Sequence, residues 1–587
     1  MKQILKCLGQ YKKDFITTPI IVILETVCEL LLIMTIGQFI DALSGDATTM
    51  QIIYRYGVRL LIIAVIAFML GSASGLVSVR GSAGLAKNLR NTMFNRFQDF
   101  SFENIDHFSV DSLVTRMTTD VANVQQSFMM VLRIVTKSPI TLICALIMAF
   151  SINWKIGLIY VVVIPLLACG LFYIARITHP IFKRVFKTYD RLNLIVRENL
   201  HGIRVVKSFV REDHETDKFK KVSNEIQRDF TKAEKILSFN SPMMQGAVYI
   251  CLILISWFSA KAIVGAASGI YAGGIYMTTG DFQNLLTYSM MILTSLMMLS
   301  MVYVMVMMSR ESVQRISEVL EEKVSLENSE HAKTEISSGE IEFQNVGFSY
   351  VNDKEKLCLS DVNLHIRSGE TIGIIGGTGS GKSTLVQLIP RLYDATEGSV
   401  KVGGVDVKNY DMEALRNSVA FVLQKNVLFA GTIKENLRWG NPNATDEEIV
   451  EVCKLAQADS FISALPDGYD TFIEQGGTNV SGGQKQRLCI ARALLKRPKV
   501  LILDDSTSAV DTKTDALIRK AFASYIPDTT KIIIAQRISS VQDADRIIVM
   551  DKGKIDAVGA HEELLKNNKI YLEVFESQQK GGASDEK

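Results

Sequence analysis

KVLILDDSTSAVD occupies Lys499 to Asp511. Its apolar core, Val500 to Leu503, is too short for a helix of its own and matches a strand buried on both faces, as in parallel sheets. Two adjacent carboxylates close that strand. Charge at the carboxyl end of a buried strand marks a site: Asp504 stands where a Mg2+ ligand would, and Asp505 where a phosphate-cleaving enzyme keeps its water-activating base. That base is ordinarily Glu, so Asp505 is short by one methylene.

Upstream, TIGIIGGTGSGKSTLVQLI carries a phosphate-loop pattern, with Gly376, Gly381, Lys382 and Ser383 following a strand at Thr371–Ile375 and preceding a helix. The loop Gly376, Gly377, Thr378, Gly379, Ser380, Gly381 turns backbone N–H groups inward around the phosphates of ATP, and the helix N-terminus adds positive potential. Lys382 reaches the β- and γ-phosphates, Ser383 supplies a Mg2+ ligand, and Thr384 follows inside the helix. Short apolar runs alternating with helical patterns on both sides of this loop predict an α/β domain with a largely parallel sheet.

The chain has 587 residues, 48% hydrophobic and 21% charged, and the apolar excess lies in the first 310. A formal net charge of +2 gives no basic bias toward nucleic acid. The cysteines show no CxxC pairing and read as small buried hydrophobes. Six windows are long and apolar enough to cross a bilayer: Phe15–Ile40, Leu60–Val79, Ser138–Trp154, Ile156–Ala175, Ser238–Ala260 and Phe282–Ser309. The third and fourth are separated by Lys155 alone, which predicts a tight turn. Seven Lys or Arg lie between Arg80 and Lys137 and fifteen between Arg176 and Lys235, against one in the opposite loops. Both termini are therefore expected in the cytoplasm of a multi-pass cell-membrane protein, of the bacterial inner-membrane type. The N-terminal lysines precede an apolar run without a small-residue cleavage site, which reads as an uncleaved first membrane helix. Runs such as LNLIVRENL predict that the membrane helices continue into the cytoplasm.

Glu25 and Glu29 lie one turn apart on the first span, at a depth where ionisable groups are costly. They meet either a cationic substrate or polar groups on neighbouring helices. A methionine cluster at 290, 291, 297, 298, 301, 305, 307 and 308 offers an adaptable apolar surface, with Met297 and Met301 as candidate substrate contacts; ordinary helix packing is the other reading. The domain expectation is a transmembrane domain over 1–310, a linker over 311–338 that opens as an amphipathic helix and degrades into polar sequence, a nucleotide-binding domain over 339–577 and a disordered tail over 578–587.

NVSGGQKQR, Asn479 to Arg487, adds a Ser481 N-cap, two glycines at 482 and 483 that allow close backbone approach, and a helix aimed at a phosphate. With the phosphate loop and KVLILDD in this order, the chain resembles the ATP-binding cassette (ABC) exporters, over nearly its whole length. It is similar to half-transporters of the type I exporter fold, in which a six-helix all-α membrane domain is fused to an α/β P-loop domain. The resemblance implies a dimer with two ATP molecules held between the phosphate loop of one chain and Ser481, Gly482, Gly483 and Gln484 of the other. It also implies that Tyr350 stacks on adenine, that Gln424 senses Mg2+ and the attacking water, and that Ser508 to Asp511 communicates across the dimer. FSVDSLVTRMTTDV and ENLHGIRVVKSFVRE resemble the cytoplasmic coupling segments.

Two positions depart from the pattern. Asp505 replaces Glu, and Gln536 in IIIAQRISS replaces the switch His. A carboxylate withdrawn by one methylene orients water poorly, and Gln carries no positive charge. Both together fit the degenerate-site subunit of a heterodimeric multidrug-type exporter, whose partner half-transporter keeps Glu and His. The expected function is ATP-driven outward movement of amphipathic drugs or lipids by alternating access. The alternatives are a nucleotide-gated sensor or channel, and an exporter dedicated to lipid or peptide. The apolar spans exclude a soluble ATPase, and a peptide exporter with a protease domain is disfavoured because the first span begins almost at once.

Overall fold

The structure is a computed structural model that describes residues 2–44, 49–267, 277–351, 353–506 and 510–582. It divides into two units. One comprises Met1–Gln98 with Val110–Glu322, the other Asp99–Ser109 with Lys323–Lys587.

The first unit is helical. Among the described residues, six helical stretches are long and apolar enough to span a membrane: Gly9–Leu43, Met50–Asp99, Val110–Ile152, Trp154–His201, Glu212–Val264 and Thr279–Tyr303. At about 1.5 Å per residue, the 50-residue second helix is roughly 75 Å long, more than twice the hydrocarbon thickness. The expected continuation of the helices beyond the bilayer is therefore present. The turn between the third and fourth falls at Asn153, two residues before the expected Lys155. Asn153 is extended, and its side chain accepts from the backbone N–H groups of Lys155 and Ile156, which caps the fourth helix. Trp154 thus opens that helix instead of closing the third. The sixth helix continues to Glu321, so the start of the expected linker, 311–321, is helical.

Large apolar side chains such as Phe68, Leu76, Leu166 and Trp257 face outward, as a lipid solvent requires. Polar side chains join the helices inside. Lys137 Nζ lies 2.9 Å from Glu25 Oε1 and 2.7 Å from Glu29 Oε1, and Ser74 donates to Glu25. Of the two readings of these carboxylates, the structure displays the internal polar partner. Buried Tyr160 bonds Ser289 at 2.7 Å, and Asp120, wholly buried, accepts from Ser312 and Arg315.

The second unit contains twelve strands among its described residues: β1 (Ile341–Phe348), β2 (Leu359–Ile366), β3 (Thr371–Gly376), β4 (Glu397–Val402), β5 (Val405–Asp406), β6 (Val419–Val422), β7 (Gly431–Thr432), β8 (Phe472–Ile473), β9 (Val500–Asp504), β10 (Thr530–Ile534), β11 (Arg546–Asp551) and β12 (Lys554–Gly559). An antiparallel sheet runs β2-β1-β4-β5, and a six-stranded sheet runs β12-β11-β3-β10-β9-β6 with only β12 antiparallel. Alternation along β9 places Val500 and Ile502 in one apolar core and Leu501 and Leu503 in the other. That two-sided burial is why the strand reads as an unbroken apolar run. The unit's last helix, Lys569–Gly582, continues past Gln578, where the sequence reading begins a disordered tail. Composition there is polar, but Tyr571, Val574 and Phe575 anchor the helix on the core.

Candidate nucleotide site

Four neighbouring parallel strands, β3, β10, β9 and β6, deliver the site. The register pairs Ile534 of β10 with Ile374 on one side and Asp504 on the other, so the carboxyl ends of these strands lie level. The phosphate loop leaves β3, Gln536 follows β10 by two residues, Asp504 and Asp505 close β9, and Gln424 follows β6 by two. A parallel sheet binds ligands outside such ends, because every strand hands its next loop to the same edge.

The phosphate loop owes its shape to close approach. A Cβ on Gly376 would lie 2.2 Å from the Met550 carbonyl, and Gly381 takes φ +93°, a conformation that L side chains rarely adopt, to start the Lys382–Gln387 helix. Gly377 and Gly379 have open space where a Cβ would be, which leaves a face free for phosphate oxygens. Lys382 Nζ rests on the carbonyls of Gly376 (2.9 Å) and Gly377 (2.8 Å). Burial lowers its pKa, and Asp504 and Asp505 oppose that shift. Ser380, within the loop, is buried.

Ser383 Oγ donates to Asp504 Oδ1 at 3.1 Å. A hydroxyl and a carboxylate so disposed are the donor set expected for a hard cation, so these residues fit a Mg2+ ion. Burial, together with the neighbouring Asp505 charge, raises the Asp504 pKa, an unfavourable state that a cation would relieve. Asp505 has a left-handed backbone, φ +48°, with its N–H donating to the Ile534 carbonyl. Its Oδ2 accepts from Gln536 Nε2 at 2.8 Å, and the Gln424 side chain also bonds it. Burial raises its pKa, while both glutamines favour the carboxylate.

Tyr350 lies just past β1. Its hydroxyl bonds Thr384 Oγ1 (3.1 Å) and Gln387 Oε1 (3.2 Å), and the residue is 43% exposed, enough to offer a face to a flat ligand. The structure therefore brings together Tyr350, the whole phosphate loop, Gln424, Asp504, Asp505 and Gln536. Ser481 and Gln484 instead bond each other in a capping box that opens the Gly482–Leu495 helix. Thr378 and the pair Gly482 and Gly483 stay on loop and helix-start surface. Asp511 caps the Thr512–Tyr525 helix through Thr514 N–H, and Ser508 lies outside the described residues. Glu25, Glu29, Met297 and Met301 belong to the other unit; both methionines are exposed.

One part of the site went unread in the sequence. Asp99–Ser109, continuous with the second membrane helix, packs within the nucleotide-binding unit. Its short helix Phe102–Phe108 is capped by Ser101 and Asn104, and Asn104 donates to the Lys323 carbonyl. Phe102 meets the Tyr393 ring in a tilted contact, centroids 6.0 Å apart, and the Tyr393 hydroxyl donates to Asp106 at 2.7 Å. Tyr393 in turn meets Tyr350 edge-on at 5.3 Å, so an aromatic chain runs from the adenine candidate to this segment. The quoted FSVD run begins only at Phe108; the Ser-x-x-Asn cap at 101–104 was the available signal. In the membrane unit, the second quoted segment forms the helix Ile203–Ser208, with Leu200, Val205, Phe209 and Val210 left exposed.

Residues 15–269 match the model of the ABC transporter transmembrane region, and residues 359–508 that of the ABC transporter domain. An uncharacterized ABC transporter ATP-binding protein of Bacillus subtilis, YfiB, is 34% identical over 95% of both chains. The ATP-dependent lipid A-core flippase of Desulfotalea psychrophila is 32% identical over 86% of both. The fold matches that of a bacterial Atm1-family ABC exporter solved with ATP bound, with a TM-score of 0.82 and 23% identity over 96% of this chain and 99% of that one. The chain belongs to the ABC transporter family, with a membrane domain and an ATP-binding domain in one polypeptide.

Proposed function

We propose that this chain is the ATP-holding subunit of a heterodimeric exporter for amphipathic molecules. Its own phosphate-loop site binds ATP and turns it over slowly, while its Ser481–Gln484 segment completes the fast site of a partner that keeps Glu and His. The observation that carries the reading is the Asp505–Gln536 hydrogen bond, 2.8 Å long, at the level where the attacking water must be oriented.

Chemically, the phosphate loop's backbone N–H groups and Lys382 bind and orient the triphosphate, and Tyr350 offers its ring to adenine. Ser383 and Asp504 would hold the Mg2+ ion, which neutralises charge on the phosphates. Asp505 accepts hydrogen bonds from two amides and sits ~1.5 Å short of the position a Glu carboxylate would occupy, a misplacement that costs on the order of 100-fold in rate. Gln536 donates a hydrogen bond but supplies no cation. The site therefore retains a nucleotide better than it cleaves one.

The exposed apolar side chains Leu200, Val205, Phe209 and Val210 need a cover in the assembled protein, and support a coupling contact with the partner subunit. Met297 and Met301 offer an adaptable surface for varied apolar substrates. Glu25 and Glu29, already engaged by Lys137, would serve a substrate only by exchanging that lysine. Both termini are assigned to the cytoplasm of a cell membrane from the Lys and Arg bias.

The test compares the purified chain with the chain joined to a half-transporter bearing Glu and His. The chain alone is expected to show little ATPase activity, and the pair to drive ATP-dependent dye uptake into inverted vesicles. Brisk turnover by the chain alone would defeat the heterodimer reading, and ATP-gated conductance without uptake would favour a channel.

A further inference from the structure

We infer that the C-terminal helix positions the switch residue, through Gln578. The Gln578 side chain holds the switch loop twice: Oε1 accepts the Ile538 N–H at 2.9 Å, and Nε2 donates to the Gln536 carbonyl at 2.7 Å. The residues before and after Gln536's neighbour Arg537 are thereby fixed against one amide. Beyond the loop, Gln536 Nε2 bonds Asp505, and Asp505 is bonded by Gln424. A chain of hydrogen-bonded residues thus runs from the C-terminal helix through Gln536 to Asp505, the carboxylate assigned above to the attacking water.

The helix is built to place that amide. Tyr571, Val574, Phe575 and Gln578 recur at three- and four-residue spacing and so share one face. Tyr571 is wholly buried, its hydroxyl 2.7 Å from His561 Nδ1 and its N–H donating to Asn568. Asn568 is tied to Asp556 at 2.6 Å, and Phe575 meets the His561 ring at 5.6 Å. The apolar stripe sets the helix's register against the core, and Gln578 ends the stripe two turns beyond Tyr571. A side chain serving only as a solvated helix surface has no reason to satisfy both a donor and an acceptor of one distant loop.

Gln578 is a positioning residue, since it acts through Gln536, and the inference rests on the ATP-holding reading for its sign. The experiment uses the full dimer, loaded in the dark with labelled 8-azido-ATP and Mg2+, chased with unlabelled ATP for varied times and only then irradiated, so that the label left on this chain, and its conversion to the diphosphate, report retention and cleavage. Gln578→Ala, which removes two hydrogen bonds of ordinary strength, is expected to speed release from this chain about tenfold. Gln578→Glu keeps the acceptor for Ile538 and loses the donor, so its effect falls between. On a Gln536→Ala background, Gln578→Ala adds nothing further. A change in cleavage instead of release, likewise abolished by Gln536→Ala, supports the positioning role while defeating the ATP-holding reading. No change in either rate, or an equal change on both backgrounds, overturns the inference. Because Gln578 is exposed, the melting temperature stays within a few degrees, which separates the effect from unfolding.

Discussion

Replacing Asp505 by Glu and Gln536 by His in the same chain should convert the holding site into a cleaving one. In the structure the Asp505 carboxylate is reached by Gln536 Nε2 at 2.8 Å and is anchored on a backbone turn at φ +48°. One added methylene extends the carboxylate by ~1.5 Å, and positional errors of that size cost about 100-fold, so a gain of roughly 100-fold in cleavage at this site is expected. The cost appears in the backbone. Asp is better tolerated than Glu in left-handed geometry, so the Glu variant should lose up to about 1 kcal/mol of stability while gaining activity. Opposite signs for stability and turnover are hard to obtain from a general disturbance. The assay is single-turnover hydrolysis of radiolabelled ATP with the partner's catalytic Glu replaced by Gln, which leaves this site as the source of product. Turnover unchanged from the parent would refute the positional argument.

Two further outcomes follow from other parts of the molecule. Tyr393→Phe keeps the ring contacts to Phe102 and Tyr350 but deletes the bond to Asp106, worth about 1 kcal/mol at an exposed carboxylate; substrate-stimulated ATPase should fall about fivefold with ATP affinity within twofold, and an equal loss of affinity would place Tyr393 in binding instead of coupling. Lys137→Met leaves Glu25 and Glu29 unpaired and should destabilise the membrane unit by about 2 kcal/mol, less than a fully buried pair because Lys137 is 36% exposed. Thermal unfolding in nanodiscs reads that loss, and adding Glu25→Gln should return part of it; an unshifted melting curve would show the triad to be energetically idle.

The parts of this fold that the sequence makes legible are those set by local pattern. Twenty apolar residues in a row, a four-residue buried strand, and glycines at fixed spacing before Lys382 each carry their structure in a short window. Ser481 reads as a cap because Gln484 stands three residues on. What stays hidden depends on partners far along the chain. Lys137 meets Glu25 and Glu29 across more than a hundred residues, and no periodicity announces it. Residues 578–582 look disordered by composition, yet they continue the helix that Tyr571 and Phe575 anchor on the core. Asp99–Ser109 reads as one more stretch of a cytoplasmic excursion until Tyr393 and Asn104 tie it to the nucleotide-binding unit. Left-handed backbone at Asp505 is equally silent, since Asp is allowed in many conformations.

The central claim is that this chain retains ATP while its partner cleaves it. Its most direct test is the identity of the nucleotide on each chain during steady turnover: the dimer is supplied with [α-32P]-labelled 8-azido-ATP and Mg2+, irradiated, separated into its two chains, and the bound label resolved as di- or triphosphate. Triphosphate is predicted on this chain and diphosphate on the partner. Diphosphate on this chain, formed as fast as product appears in solution, would contradict the account.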